Sequence, residues 1–267
     1  MVNDPIFNSA AFEPYSIGEL NSRFKAALPF KHLVIDNFLV PHYAQSLVQG
    51  FPPLDAMKTH YSGMNEKKAE DNDLSRLDPC FTKLHEALSS REFIDFLQAV
   101  TGISALQIVN DRLGYGLHQG GHRSFLDIHI DYNLHPITKL QRRLNFLLFL
   151  NPEWKEEWGG YLELWDIRSK KAGRSIAPLF NRAVVFECSE ISYHGYSRIN
   201  VPTGITRRSY YQYYFTTPAR DIRYHDTIFR PMPGTSLSKR IAVPVKESLK
   251  NGIKKALLAL GLEKFLK

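Results

Sequence analysis

His129 and Asp131 stand two residues apart in the run Phe125 to Asp131, whose aromatic and β-branched residues favour a strand. Side chains two apart on a strand share a face, so this imidazole and this carboxylate project side by side. A second imidazole, His194, follows 63 residues after Asp131, within Ser192-Tyr193-His194-Gly195-Tyr196. That is enough chain for several strands to intervene and return His194 to the pair. The glycine after it allows a close backbone approach. Two histidines and one carboxylate are the donor set that holds non-haem Fe(II) and leaves positions open for oxygen chemistry. A lone His-x-Asp pair carries little weight, because many surface strands contain one. The distant histidine and the arginines beyond it give the pattern its force.

Those arginines open the run Arg207-Arg208-Ser209-Tyr210-Tyr211-Gln212-Tyr213-Tyr214-Phe215, which is rich in strand formers. Arg207, Ser209, Tyr211 and Tyr213 share one face; Arg208, Tyr210, Gln212 and Tyr214 share the other. An arginine turned inward at the end of such a strand needs an anion. Its planar fork matches a carboxylate through two parallel hydrogen bonds, and Ser209 on the same face can add a third. An Fe(II) triad with an inward arginine meets the needs of a keto-dicarboxylate co-substrate, chelated at one end and clamped at the other. The plain alternative is that Arg207 and Arg208 are solvated charges at a strand start.

The rest of the chain supplies elements able to hold these groups. Residues 1–28 read as an N-terminal arm with one helical stretch, Ile17 to Ala27. His32 to Ile35 reads as a strand, and Pro41 to Gln49 as a helix entered through proline. Asp55 to Asp73 is polar without a clear period and reads as a loop. Ser75 to Val100 is helical by pattern, in two pieces. After Thr101 short β-rich runs follow one another: Ala105 to Asn110, Phe125 to Asp131, Arg143 to Asn151, Tyr161 to Trp165, Ala183 to Glu187 and Ser209 to Thr217. Turn signals separate them, among them Gly120-Gly121, Asn151-Pro152 and Gly159-Gly160. Helices followed by regular short strands imply an α+β fold: a β-sandwich or barrel backed by N-terminal helices.

Composition narrows the class. The 267 residues are 43% hydrophobic and 12% aromatic, enough for one large core. No apolar run reaches the roughly 20 residues that span a bilayer, and the N-terminus has no secretory pattern. Cys80 and Cys188 belong to no paired motif, so a cytoplasmic location is expected. Nearly all of the net charge of +7 lies in the last 29 residues, where eight Lys or Arg face two Glu. The remainder is close to neutral and does not form a nucleic-acid groove. The tail carries Leu249, Ile253, Leu257 and Leu260 at helical spacing beside Lys246, Lys250, Lys254 and Lys255. Residues 236–267 therefore read as a basic amphipathic tail, and residues 245–267 either cover the core or touch the inner face of an anionic membrane.

From about Pro29 to Pro218 the chain resembles the Fe(II)/2-oxoglutarate-dependent dioxygenases, in their prolyl 4-hydroxylase-like branch. The resemblance rests on the opening Pro29 to Leu39, on His129/Asp131, His194 and Arg207-Arg208-Ser209, and on Arg142 to Asp166, with its Asn-Pro, Trp and Gly-Gly connection. It implies a double-stranded β-helix (a jelly-roll, cupin-like core of two antiparallel sheets) over residues 29–235. It implies that His129, Asp131 and His194 bind Fe(II), and that Arg207, with Arg208 as the alternative, pairs with the distal carboxylate of 2-oxoglutarate beside Ser209. Hydroxylation of an unactivated C–H bond would release succinate and CO2, with ascorbate as a candidate reductant. The substrate expected is proline, a prolyl peptide, a glycan or another small metabolite. The chain also departs from the pattern. The tyrosine that relatives place before His-x-Asp falls at Tyr115, further upstream than usual. Phe149 stands where some relatives carry a tyrosine that touches the co-substrate, and Asn145 on the same face is the candidate replacement. Two other classes compete: a cupin-like metalloenzyme without a keto acid, which has no need of Arg207, and a non-catalytic jelly-roll binding module, which has no need of an intact triad.

Overall fold

The first half of the chain builds a helical layer whose ends are set by local chemistry. A single turn, Ser9–Ala11, precedes α1 (Ile17–Ala26), which opens on a capping box between Ser16 and Glu19. β1 (His32–Ile35) follows, then α2 (Pro41–Gln49), with proline in its first turn. A hairpin of β2 (Thr59–Ser62) and β3 (Glu66–Asp71) leads to α3 (Pro79–Ser89) and α4 (Arg91–Thr101). Asp78 and Ser90 cap these last two helices, and Gly102 ends α4 at a φ of 73°.

Eight strands then form the second half: β4 (Tyr115–Gly120), β5 (Phe125–Ile130), β6 (Gln141–Phe149), β7 (Leu162–Asp166), β8 (Lys171–Ile176), β9 (Arg182–Glu187), β10 (His194–Tyr196) and β11 (Arg207–Thr216). A two-residue strand, β12 (Ile228–Phe229), pairs with β5. The computed structural model describes residues 5–169, 171–218 and 222–231. The basic tail expected over residues 236–267 lies outside them.

The strands run in the order β1-β9-β6-β11-β4-β3-β5-β10-β7-β8, with every pairing antiparallel. The sheet turns at β3, where β2 holds one edge and the other edge pairs first with β5 at Glu66 and Lys67 and then with β4 at Ala69 to Asp71. The result is the double-stranded β-helix expected from the sequence. Both faces of its larger half are covered. Leu144, Phe146 and Leu148 of β6 pack outward with Leu20, Phe24, Phe38, Leu84 and Leu97 of the helical layer. Leu147 and Phe149 pack inward with Leu162, Leu164, Phe186 and Tyr211. Burial on both faces is why β6 reads as an almost unbroken apolar run. Each fully buried phenylalanine there, Phe146 and Phe149, contributes about 1.5–3 kcal/mol.

Two expectations change and one gains detail. The segment Asp55 to Asp73 is the β2–β3 hairpin rather than a loop; its inward residues Glu66, Lys68 and Glu70 are polar because they line a cavity instead of a core. The N-terminal arm is packed onto the body: Phe7 bridges to Leu39, and Leu20 and Phe24 of α1 lie in the main core. Ala105 to Asn110 makes no strand, only an isolated bridge from Gln107 to Phe215.

Candidate functional site

Strand register builds the metal-binding group. His129 on β5 and His194 on β10 are direct cross-strand partners, with ring centroids 4.4 Å apart. Asp131, one residue beyond the end of β5, places Oδ1 at 3.6 Å from His129 Nε2 and Oδ2 at 3.8 Å from His194 Nε2. One donor atom from each of the three lies within 4.8 Å of those of the others. The close approach of β10 to β5 explains Gly195: a Cβ there would stand 2.5 Å from the Leu126 carbonyl oxygen.

The imidazoles are also correctly protonated for the task. His129 Nδ1 lies 2.9 Å from the Asp127 carbonyl oxygen, and His194 Nδ1 lies 2.9 Å from that of Ser192. A carbonyl only accepts, so each ring carries its proton on Nδ1 and turns a bare Nε2 lone pair toward Asp131. Burial depresses His194 to a pKa of about 4, keeping it neutral. Burial alone would raise Asp131, but the positive charge of Arg142 reverses this and holds the carboxyl well below the usual range. Two imidazoles and one carboxylate around a shared space fit a ferrous ion.

Arg142 is part of this centre. Its Nη1 lies 2.9 Å from Asp131 Oδ2, and its guanidinium is centred 3.6 Å from the ring centroids of both Tyr132 and Tyr213. Asn145 Nδ2 donates to the same Oδ2 at 3.1 Å.

At the far end of the β6–β11 ladder, Arg207 donates from Nε to the Gly160 carbonyl at 2.7 Å. Its guanidinium lies 4.3 Å from the Tyr196 ring centroid and 4.9 Å from that of Phe149. Among the described residues no carboxylate comes within ion-pair distance of it. Uncompensated burial lowers its pKa to about 10. Ser209 Oγ, on the same face, is buried without a hydrogen-bond partner. A buried cation without an acid and a buried hydroxyl without a partner make a cradle for a carboxylate.

Arg208 does not share this cradle. It points to the other face of β11, where its guanidinium lies over Phe51 and its Nε donates to Thr206 Oγ1. Tyr115 is likewise placed elsewhere. It pairs in register with Gln212 on the helix-facing side and packs on His85 at 4.1 Å. The inward position on β4 opposite Ser209 belongs to His118. Asn145 does face inward, but it sits opposite Tyr213 and touches Asp131, whereas Phe149 lies opposite Ser209. It therefore supports the metal ligand and does not replace a hydroxyl near Arg207.

Sequence reasoning missed Arg142 and the charged wall made by β3 and β4. In that wall Lys68 lies 3.7 Å from Glu70, whose other oxygen accepts from Tyr211 at 2.7 Å, and His118 stacks on Tyr211. Alternating charge along Glu66-Lys67-Lys68-Ala69-Glu70 was the available signal, since Glu66, Lys68 and Glu70 fall two apart. A cavity of about 330 Å³ joins this wall to His129, Asp131 and Tyr213. A second, of about 590 Å³, opens beside it and is lined by Asn133, Arg143, Glu190 and His225; Asp131, Tyr132 and Arg142 border both. Tyr132 and Asn133 both line this second cavity.

Comparison with known proteins agrees with this geometry. The family model for the 2OG-Fe(II) oxygenase superfamily matches residues 115–215. Prolyl 3-hydroxylase OGFOD1 of Mus musculus is 27% identical over 178 residues, covering 64% of this chain and 30% of that protein. Its Xenopus laevis counterpart is 27% identical over 205 residues, covering 71% and 36%. The chain spans about a third of the length of these curated relatives. A Pseudomonas putida prolyl-4-hydroxylase structure is similar with a TM-score of 0.52 and 15% identity, covering 74% of this chain and 99% of that one. A prolyl hydroxylase from Trichoplax adhaerens, solved with a hypoxia inducible factor peptide fragment, gives 0.54 and 19%, covering 74% and 86%. At these identities the two structures share the fold.

Proposed function

We infer that this chain, a member of the 2OG-Fe(II) oxygenase superfamily with a prolyl 4-hydroxylase-like core, is a 2-oxoglutarate-dependent hydroxylase acting on a prolyl residue in a peptide. The observation that carries the reading is the meeting, inside one barrel, of a complete His129–Asp131–His194 donor set with a carboxylate cradle that lacks its carboxylate. A metalloenzyme without a keto acid has no use for a buried, acid-free Arg207. The curated relatives and the two prolyl hydroxylase folds support a peptide-borne proline as the substrate class.

His129, Asp131 and His194 would hold Fe(II), and Arg207 with Ser209 would grip the distal carboxylate of 2-oxoglutarate. With O2, this pair supplies the oxidising chemistry that splits the keto acid into succinate and CO2 and inserts oxygen into a C–H bond. The protein's own part is placement and exclusion. The backbone carbonyls of Asp127 and Ser192 orient the two imidazoles. Phe149, Leu164 and Phe186 keep the inner barrel apolar, which strengthens the grip of Arg207 on an anion. The two cavities beside Asp131 give a substrate access to the metal from the open end.

Anaerobic addition of Fe(II) and 2-oxoglutarate should develop the weak visible charge-transfer band of the chelate. Succinate release with ascorbate present, screened over short proline-containing peptides, should then identify a substrate. His129→Ala and Asp131→Ala should each lower Fe(II) affinity more than about a hundredfold, the upper range for groups that only support a ligand. Full succinate release by both variants would refute the triad; a wild-type protein that binds Fe(II) but never shows the band would refute the keto acid.

A further inference from the structure

Asp131 is held by more than one group, and on one side only. Oδ2 forms an ion pair with Arg142 Nη1 at 2.9 Å, accepts a hydrogen bond from Asn145 Nδ2 at 3.1 Å and lies 3.8 Å from His194 Nε2, while Oδ1 lies 3.6 Å from His129 Nε2. Arg142 itself is fixed from both sides. Tyr132 and Tyr213 sandwich its guanidinium at 3.6 Å each, and the residue is 2% exposed. A guanidinium between two aromatic faces is held in its plane and has little freedom to follow a moving carboxylate. Its inward aim depends on a β-bulge. The adjacent β11 residues Tyr214 and Phe215 pair with Leu144 and Arg142, so Arg143 is an extra residue on β6. Bulges re-aim a side chain in this way near active sites.

Resting on the superfamily reading above, we propose that Arg142 and Asn145 are positioning residues that occupy Asp131 Oδ2 and so confine this carboxylate to a single donor oxygen, Oδ1, toward the metal. The consequence is a count of open positions. Iron held by these three donors would, if six-coordinate, keep three positions, two for the keto acid and one more for a small ligand. A carboxylate free to turn and bind through both oxygens would take that last position. The clamp is thus a device for keeping it vacant, and it acts without touching substrate or co-substrate.

The test uses the full chain loaded anaerobically with Fe(II) and 2-oxoglutarate, with nitric oxide as a probe of the remaining position, read by electron paramagnetic resonance. In the wild type nitric oxide should bind. In Arg142→Gln, metal stoichiometry and the 2-oxoglutarate band should persist while nitric oxide affinity falls about tenfold, the lower range for loss of a group that supports a ligand. Asn145→Leu should fall in the same direction by less, and it decides the matter alone if Arg142→Gln does not fold. Unchanged nitric oxide affinity in a folded variant would overturn the proposal. So would a parallel loss of metal, band and nitric oxide binding, which marks a merely structural role. If the wild type never forms the band, it is the co-substrate reading that fails, and the clamp, which matters only once a keto acid fills two positions, falls with it.

Discussion

Arg142 and Arg207 sit at opposite ends of the β6–β11 ladder, both buried and both resting on aromatic rings. Their electrostatic settings are opposite. Burial works against the charge of each, but around Arg142 the nearby Tyr132 and Asp131 reverse its effect and raise the pKa well above the usual value. Arg207 has no acid and is lowered to about 10. The first cation has its counter-charge from the fold, and the second has none among the described residues. A buried arginine therefore marks a binding site when its counter-charge is missing, and a supporting role when the counter-charge is itself a metal ligand.

This contrast predicts stability changes of opposite sign in the metal-free protein. Arg142→Met strands Asp131 as a buried charge without its cation and should cost about 3–5 kcal/mol, measured by urea unfolding. If it costs nothing, the Asp131–Arg142 pair is not the anchor described. The next largest effect is on binding. Arg207→Ala should weaken 2-oxoglutarate binding about a hundredfold, close to 2.7 kcal/mol, with Fe(II) affinity nearly unchanged. Arg208→Ala should leave both constants alone; a larger effect from Arg208 would reverse the assignment. Smaller still, Arg207→Met should stabilise the ligand-free protein by about 1 kcal/mol, because it removes a buried charge that nothing pairs. A lower melting temperature for that variant would show that Gly160 and the rings already satisfy the guanidinium.

A pH-dependent effect concerns Glu70, another charge completed by the fold. Burial would raise its pKa, but His118, Lys68 and Tyr211 together lower it from the usual 4.5 to about 2. A folded-state pKa below the unfolded one adds stability that is fully present above about pH 4.5 and is lost as pH falls toward about 2. Unfolding free energy should therefore drop between pH 5 and 3 in the wild type and drop less steeply in Glu70→Gln. Equal slopes would mean that the Lys68–Glu70 contact carries no net stability.

By itself the sequence determined the metal triad, the shared face of Arg207 and Ser209, and the order of helices before strands. These follow from local rules: the two-residue period of a strand and the donor set that Fe(II) accepts. The same period misplaces Arg142, because the extra residue at Arg143 shifts the alternation and only the pairing with β11 shows it. Tertiary structure also turned Arg207 inward and Arg208 to the other face, sent Tyr115 to the helix-facing side and turned the polar stretch before Asp73 into a hairpin. Each of those outcomes depends on which strand lies alongside and in what register. Pairing across the sheet is a long-range property, and no window of local sequence contains it.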